Sequence, residues 1–303
     1  MINNFTEITA AGLALMRAGE VSPGQLLKIF ADARSTLTNY SSAAEFFDIF
    51  HIKTGALNAT LSESLDAVEK GLRLGIQPIP FFSDAYPDSL RTINDAPPFI
   101  YVRGDVGVLN ELPGVSVVGT RKATKIGLAI AERISKFLSE NGWIVVSGLA
   151  LGIDAAAHEG ALLGRSKTVA VLAHGLEKAQ PSANQMLAQR ILDAGGVWVS
   201  EHEYGVKAKP AFFVHRNRIQ VGLSCASVIV EGELKSGSMT QAEFCLRYKR
   251  HLFGVTPDST RFSTMSTLPE MLVKDRGATR LVSKDDYQNM LDLIKRRAHL
   301  INI

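Results

Sequence analysis

Four short stretches carry glycine, hydroxyl or basic side chains in a way that suits an anionic ligand. The first is Gly119-Thr120-Arg121-Lys122-Ala123-Thr124, which leads into a helical pattern. A glycine there lets backbone amides approach a phosphate, the helix N-terminus favours negative charge, and Arg121 can bind phosphate oxygens bidentately. The same residues also suit a tight turn in which Thr120 or Thr124 caps the helix. The spacing is not Gly-x-Gly-x-x-Gly, so a dinucleotide fingerprint is absent and no cofactor is expected. The second stretch is Ser147-Gly148-Leu149-Ala150-Leu151-Gly152-Ile153-Asp154-Ala155-Ala156-Ala157-His158. Gly148 and Gly152 suit either a backbone wrapped around a ligand or close strand-helix packing, with Asp154 as a cap and His158 on a helix face.

The third stretch, Lys207-Ala208-Lys209-Pro210-Ala211-Phe212-Phe213-Val214-His215-Arg216-Asn217-Arg218, holds four Lys/Arg, two adjacent Phe and no acid. Basic groups interleaved with aromatics serve single-stranded nucleic acid, charges meeting phosphates and rings meeting unstacked bases. Alternatively one Phe belongs to the core, and Arg216 and Arg218 form internal ion pairs. In the fourth, Glu231-Gly232-Glu233-Leu234-Lys235-Ser236-Gly237-Ser238-Met239-Thr240, a strand opens into a helix and again offers amides and hydroxyls to an anion, with Lys235 alongside. A capping loop is the plainer use of the same residues.

These stretches must be held by the elements around them. From residue 115 onward short apolar runs alternate with amphipathic stretches: Val115–Val118, Trp143–Val146, Val169–Leu172, Val197–Val199, Val228–Val230 and Leu252–Val255, with helical patterns such as Ile126–Leu138 and Met239–Tyr248 between them. Near-continuous apolar strands separated by helices predict an α/β fold, a doubly wound and mostly parallel sheet covered on both faces. Its ligands bind at the carboxyl ends of the strands. A final strand is expected at Thr279–Val282, with a charged helix from Ser283. Residues 1–80 read as short helices (Gly12–Arg17, Ser22–Leu37, Ser62–Leu74), followed by a turn-rich connection containing Pro78, Pro80, Tyr86-Pro87-Asp88 and Asp95-Ala96-Pro97-Pro98. The expected organisation is therefore a small helical N-terminal domain, 1–80, and a Rossmann-like domain, 81–303.

Composition narrows the function classes. The 303 residues are 46% hydrophobic and 21% charged, which excludes a disordered chain. No apolar run approaches the roughly 18–20 residues that span a bilayer, so no membrane partner is expected. Glu7 and the lack of a basic segment before an apolar core argue against a signal peptide, and a cytoplasmic protein is expected. Cys225 and Cys245 are too few for a disulfide framework, and no His/Cys cluster has metal-ligand spacing, so no metal site is expected. Net charge is +3, but residues 1–80 hold 6 basic and 8 acidic residues against 27 and 22 in the remainder. A polyanion site would be a local patch in the later part of the chain.

Taken in order, Val118-Gly119-Thr120-Arg121-Lys122-Ala123-Thr124, Ser147–His158, Arg216-Asn217-Arg218-Ile219, Gly222-Leu223-Ser224 and Ser236-Gly237-Ser238-Met239-Thr240 resemble the DprA/Smf family, the DNA-processing proteins of natural transformation. Tyr86-Pro87, Tyr101-Val102-Arg103-Gly104, Asn184 and Ser200-Glu201 support the match, which spans roughly residues 80–285. The resemblance implies an extended Rossmann fold and a non-catalytic role: binding single-stranded DNA, protecting it and helping to load RecA, usually as a homodimer. Carried over by position, Arg121 would bind phosphate beside Gly119, Thr120, Lys122 and Thr124, with Gly148 nearby. Lys235 and the Ser236-Gly237-Ser238 loop would add amides, hydroxyls and charge, and Arg216, Asn217 and Arg218 would shape the pocket directly or through ion pairs. Phe213 and Lys209 would complete it. The chain departs from the family at Gln180-Pro181, where Tyr-Pro is common, and at Val214, where Pro is common. Pro210 stands where a basic residue often lies, next to Lys209. Val255-Thr256-Pro257-Asp258 replaces a usual Val-Pro-Gly, and no C-terminal winged helix is expected.

The alternative on the same fold is a nucleotide-binding sensor or a LOG-type nucleoside-monophosphate phosphoribohydrolase. The motif of the latter is Pro-Gly-Gly-x-Gly-Thr-x-x-Glu. This chain keeps Gly237, Thr240 and Glu243 but has Lys235, Ser236 and Met239 in place of the proline and two glycines. Such chemistry would ask Glu243 to act at the sugar.

Overall fold

The apolar runs assemble into one sheet of nine strands among the described residues: β1 (Ile76–Pro80), β2 (Phe99–Gly104), β3 (Gly114–Val118), β4 (Val145–Ser147), β5 (Thr168–Val171), β6 (Val197–Ser200), β7 (Ser224–Ile229), β8 (His251–Val255) and β9 (Thr279–Leu281). The computed structural model describes residues 5–32, 42–49, 57–111, 113–164, 166–257 and 267–301, except the side chains at 44, 48, 49 and 110. Strand order is β1-β2-β6-β5-β4-β3-β7-β8-β9. The β1–β2 and β2–β6 pairs are antiparallel and the other six parallel. This is the doubly wound, mostly parallel α/β architecture that the strand-helix alternation predicts.

β1 lies in the region that the sequence reads as turns, and β2 follows directly after that region. Prolines at 78 and 80 argue against a central strand, but β1 is an edge strand. Residues two apart point their N–H positions to the same side, so both missing donors fall on one edge while the alternate residues face β2. Pairing continues on that side, the Phe81 N–H donating to the Pro98 carbonyl at 2.9 Å. β7 also begins earlier than its apolar run, because Ser224 is satisfied inside the protein: its hydroxyl donates to the Gln220 carbonyl at 2.8 Å and lies 3.0 Å from the Ser116 hydroxyl. β4 starts later than expected, after Trp143 and Ile144.

Helices cover both faces. They are α1 (Thr6–Arg17), α2 (Pro23–Asp32), α3 (Ala43–Ile49), α4 (Asn58–Arg73), α5 (Asp88–Arg91), α6 (Lys125–Glu140), α7 (Ile153–Leu163), α8 (Gln185–Asp193), α9 (Pro210–Gly222), α10 (Gly237–Arg247), α11 (Thr267–Asp275) and α12 (Tyr287–Ile301). The end of the helix expected over Ser22–Leu37 lies outside the described residues. Alternate residues of each strand feed opposite layers. Phe99, Tyr101 and Trp198 pack with the N-terminal helices and α8, whereas Ile100, Val102, Val197 and Val199 pack with α5 and α9. On the other half of the sheet, Val115, Val117 and Val228 meet α6, α7 and α12, while Val118 and Ile229 meet α10 and α11. The N-terminal helices share a core with the sheet: the Phe30 ring sits edge-on to Phe99 of β2 at 5.2 Å and to Phe82 at 5.1 Å. β1 joins the same sheet just before residue 80.

Candidate nucleic-acid interface

The chain leaves β3 toward β4 on one side, and β7 lies against β3 on the other. At that reversal the loops after β3 and β7 splay apart and open a crevice, the usual ligand position in such sheets. The cleft there measures about 1280 Å³ and is walled by the β3–α6 and β7–α10 turns and by one face of α9. Of the residues singled out in the sequence, Gly119, Thr120, Arg121, Lys122, Thr124, Phe213, Arg216, Asn217, Lys235, Ser236, Gly237 and Ser238 line it.

The β3–α6 turn is built by packing and capping. A side chain at Gly119 would lie 2.6 Å from both the Glu231 carbonyl and Ile153, so glycine is needed there for close packing. Thr124 is the N-cap of α6, its hydroxyl accepting the Gly127 N–H at 3.0 Å. The Thr124 N–H donates in turn to the Glu231 carboxylate at 3.0 Å. An anion therefore does sit at the start of α6, and it is the protein's own. Arg121 and Lys122 are exposed, and the Arg121 guanidinium lies over the Phe213 ring, 5.2 Å from its centroid. The neighbouring β4–α7 loop presses on this turn: the Ile153 N–H donates to the Thr120 carbonyl at 3.2 Å, and Gly152, at φ +80°, leaves no room for a side chain against Thr120 and Arg121.

α9 supplies the floor. Phe213, Arg216, Asn217 and Gln220 recur at spacings of three and four and so share one helical face toward the cleft. Arg216 is 5% exposed; its guanidinium rests on Gly148, where any side chain would overlap it, and it donates to the Gln220 side-chain oxygen. Gly148 thus acts by seating Arg216 and does not itself line the cleft. Burial lowers the Arg216 pKa to about 10, against the pull of Asp154, so the group keeps its charge near neutrality. Burial also raises the Asp154 carboxyl, opposed by Arg216 and by backbone donors that include Gly148 N–H at 3.1 Å. Asn217 donates to the Gly237 carbonyl at 3.1 Å and ties the floor to the start of α10.

Lys209 and Arg218 also lie outside the cleft lining. Arg218 makes a bidentate pair with Glu201 at 3.1 and 2.6 Å, both side chains largely buried. Lys209 stands over the Phe212 ring at 5.4 Å, and that ring packs on His202 at 4.2 Å. The adjacent phenylalanines therefore separate, Phe213 facing the cleft and Phe212 facing His202. Several lining residues were not among the expected site residues, Val214, Gln220, Glu231, Leu234 and Gln241 among them. The three-four spacing from Phe213 could have found Gln220. Nothing local marks Val214 and Leu234, which are exposed apolar groups on α9 and on the β7–α10 turn. Glu243 is exposed on α10 and absent from the lining, so it is not positioned to act on a sugar bound there. His158 is fully buried; the Thr168 hydroxyl donates to the Val145 carbonyl at 2.7 Å and accepts from His158 Nδ1 at 2.9 Å, which assigns the Nδ1–H tautomer.

Known proteins resemble this chain in sequence and fold. The family model for DNA recombination-mediator protein A matches residues 77–292. DNA processing protein DprA of Bacillus subtilis (strain 168) is 32% identical over 283 residues, 91% of this chain and 93% of that protein. The X-ray structure of DprA from Streptococcus pneumoniae gives a TM-score of 0.67 at 27% identity, covering 95% of this chain and 93% of its own. DNA processing protein A from Helicobacter pylori, described structurally for its unique single-stranded DNA binding mode, gives 0.62 at 28% identity over 70% of this chain and 94% of its own. The match runs from β1 into α12 and takes in every loop of the cleft: the chain belongs to the DNA recombination-mediator protein A family.

Proposed function

We propose that this protein binds single-stranded DNA in the switch-point cleft, as a non-catalytic DNA-processing protein. The observation that carries the reading is the Arg121 guanidinium lying over the Phe213 ring at the cleft mouth. A cation held against an aromatic ring brings charge for a phosphate and apolar surface for an unstacked base within one nucleotide unit, and duplex DNA does not present unstacked bases. Lys122 and Lys235 extend the positive rim, and the exposed apolar Val214 and Leu234 offer further surface to bases. The single-stranded DNA binding mode described for the Helicobacter pylori relative, on the same fold, supports the reading.

The test is fluorescence anisotropy with a labelled oligo-dT and a duplex of the same length. The single strand should bind more tightly, and Phe213→Ala should weaken it about tenfold through lost stacking. A preference for duplex, or an unchanged affinity in Phe213→Ala, would overturn the assignment of the cleft. By family membership the proposal extends to protection of single strands and loading of RecA in natural transformation, by a cytoplasmic homodimer whose helical region, 1–80, and Rossmann-like region, 81–303, act as two domains. RecA filament formation on protein-coated single strands, with and without this chain, tests the loading step.

A further inference from the structure

Two turns leaving neighbouring strands converge on one residue. The Glu231 carboxylate accepts the Thr124 N–H at 3.0 Å and lies so close to Gly127 that any side chain there would overlap it. The main-chain carbonyl of the same residue accepts the Thr120 N–H at 2.7 Å. Residue 231 therefore holds the Arg121 turn on both sides of the arginine, once through its backbone and once through its side chain. A carboxylate at a helix N-terminus is favoured by the exposed amides and the helix dipole. Its place is nevertheless costly: Glu231 is 4% exposed, and burial pushes its carboxyl upward. A negative charge lining a cleft for a polyanion also repels the ligand. An acid retained against both effects needs a compensating role, and the geometry supplies one.

We infer that Glu231 is a positioning residue, filling the α6 N-terminus in cis and thereby fixing the turn that aims Arg121 at Phe213. The inference rests on the single-strand reading for its binding consequence, but the position of the turn can be measured without DNA.

Two substitutions separate the roles. Glu231→Gln keeps an acceptor oxygen for the Thr124 N–H and removes the charge, whereas Glu231→Ala removes both. In DNA-free full-length protein, amide hydrogen exchange over residues 119–128 should quicken about tenfold in Glu231→Ala, with β4 to β6 unchanged and Glu231→Gln close to wild type. Oligo-dT affinity should fall about fivefold in Glu231→Ala and rise modestly in Glu231→Gln, which keeps the turn and loses the repelling charge, and Arg121→Ala should cost less in the Glu231→Ala background than in wild type. Three results would overturn the inference: unchanged exchange over 119–128, faster exchange throughout the chain, or tighter binding by both variants. The last would make Glu231 only a repulsive charge. Failure of wild-type protein to bind oligo-dT would instead sink the single-strand reading, and the exchange result would still decide the positioning role.

Discussion

The back and the rim of the cleft are made from the same residue types and use them in opposite ways. At the back, Arg218 is paired bidentately with Glu201, and Arg216 is buried on Gly148 beside Gln220 and the charge of Asp154. At the rim, Arg121, Lys122 and Lys235 stand exposed. A buried charge must be paired and hydrogen-bonded to be tolerated, while an exposed one keeps its water and is free to exchange it for a ligand. Arg216 and Asn217 thus build the floor, Arg218 is paired within the fold, and the lone arginine after β3 faces outward. Substitutions at the back should move stability, and those at the rim should move affinity and its salt dependence.

The largest expected effect is at the back. Arg218→Ala strands the Glu201 carboxylate in a largely buried setting and should cost about 3 kcal/mol in denaturant unfolding, with no change in the salt slope of binding by the folded fraction. A loss below about 1 kcal/mol would mean that the pair behaves as a surface contact. Gly148→Ala comes next. Its methyl group displaces the Arg216 guanidinium from its seat, for about 2 kcal/mol of overpacking in the same assay; wild-type stability would show that Arg216 moves aside freely.

An effect that is absent at neutral pH and grows on acidification comes from His158, behind the cleft. Burial lowers its pKa to about 3. Below about pH 6.5 the unfolded chain takes up a proton that the folded chain refuses, so the contribution is complete above that range and declines toward pH 3 by about 1.4 kcal/mol per unit. His158→Asn should flatten the fall in unfolding free energy between pH 6.5 and 4. An unchanged slope would assign the acid sensitivity to other groups.

The contrast between back and rim also shows what the sequence could reveal. The parallel sheet was legible because strands buried on both faces read as apolar runs, and the switch-point loops followed from their places at strand ends. β1 was not, since an edge strand accepts Pro78 and Pro80, which would forbid a central one. In the site, residue types announced positive charge, but pairing is a long-range fact. Arg218 finds Glu201 seventeen positions away, and the turn of Arg121 is closed by Glu231 more than a hundred positions along the chain. Phe212 and Phe213 are equivalent as letters, and only the path of α9 sends one to His202 and the other to Arg121.

On the proposed function, Arg121 at the rim meets phosphate while the arginines behind it hold the fold. The most direct test is oligo-dT anisotropy across a salt series for wild type and Arg121→Ala, with thermal melts of both. Arg121→Ala should bind about tenfold more weakly, with a log-log salt slope shallower by about 1 and an unchanged melting temperature. A parallel salt slope, or a loss of stability that accounts for the weaker binding, would contradict this role of Arg121.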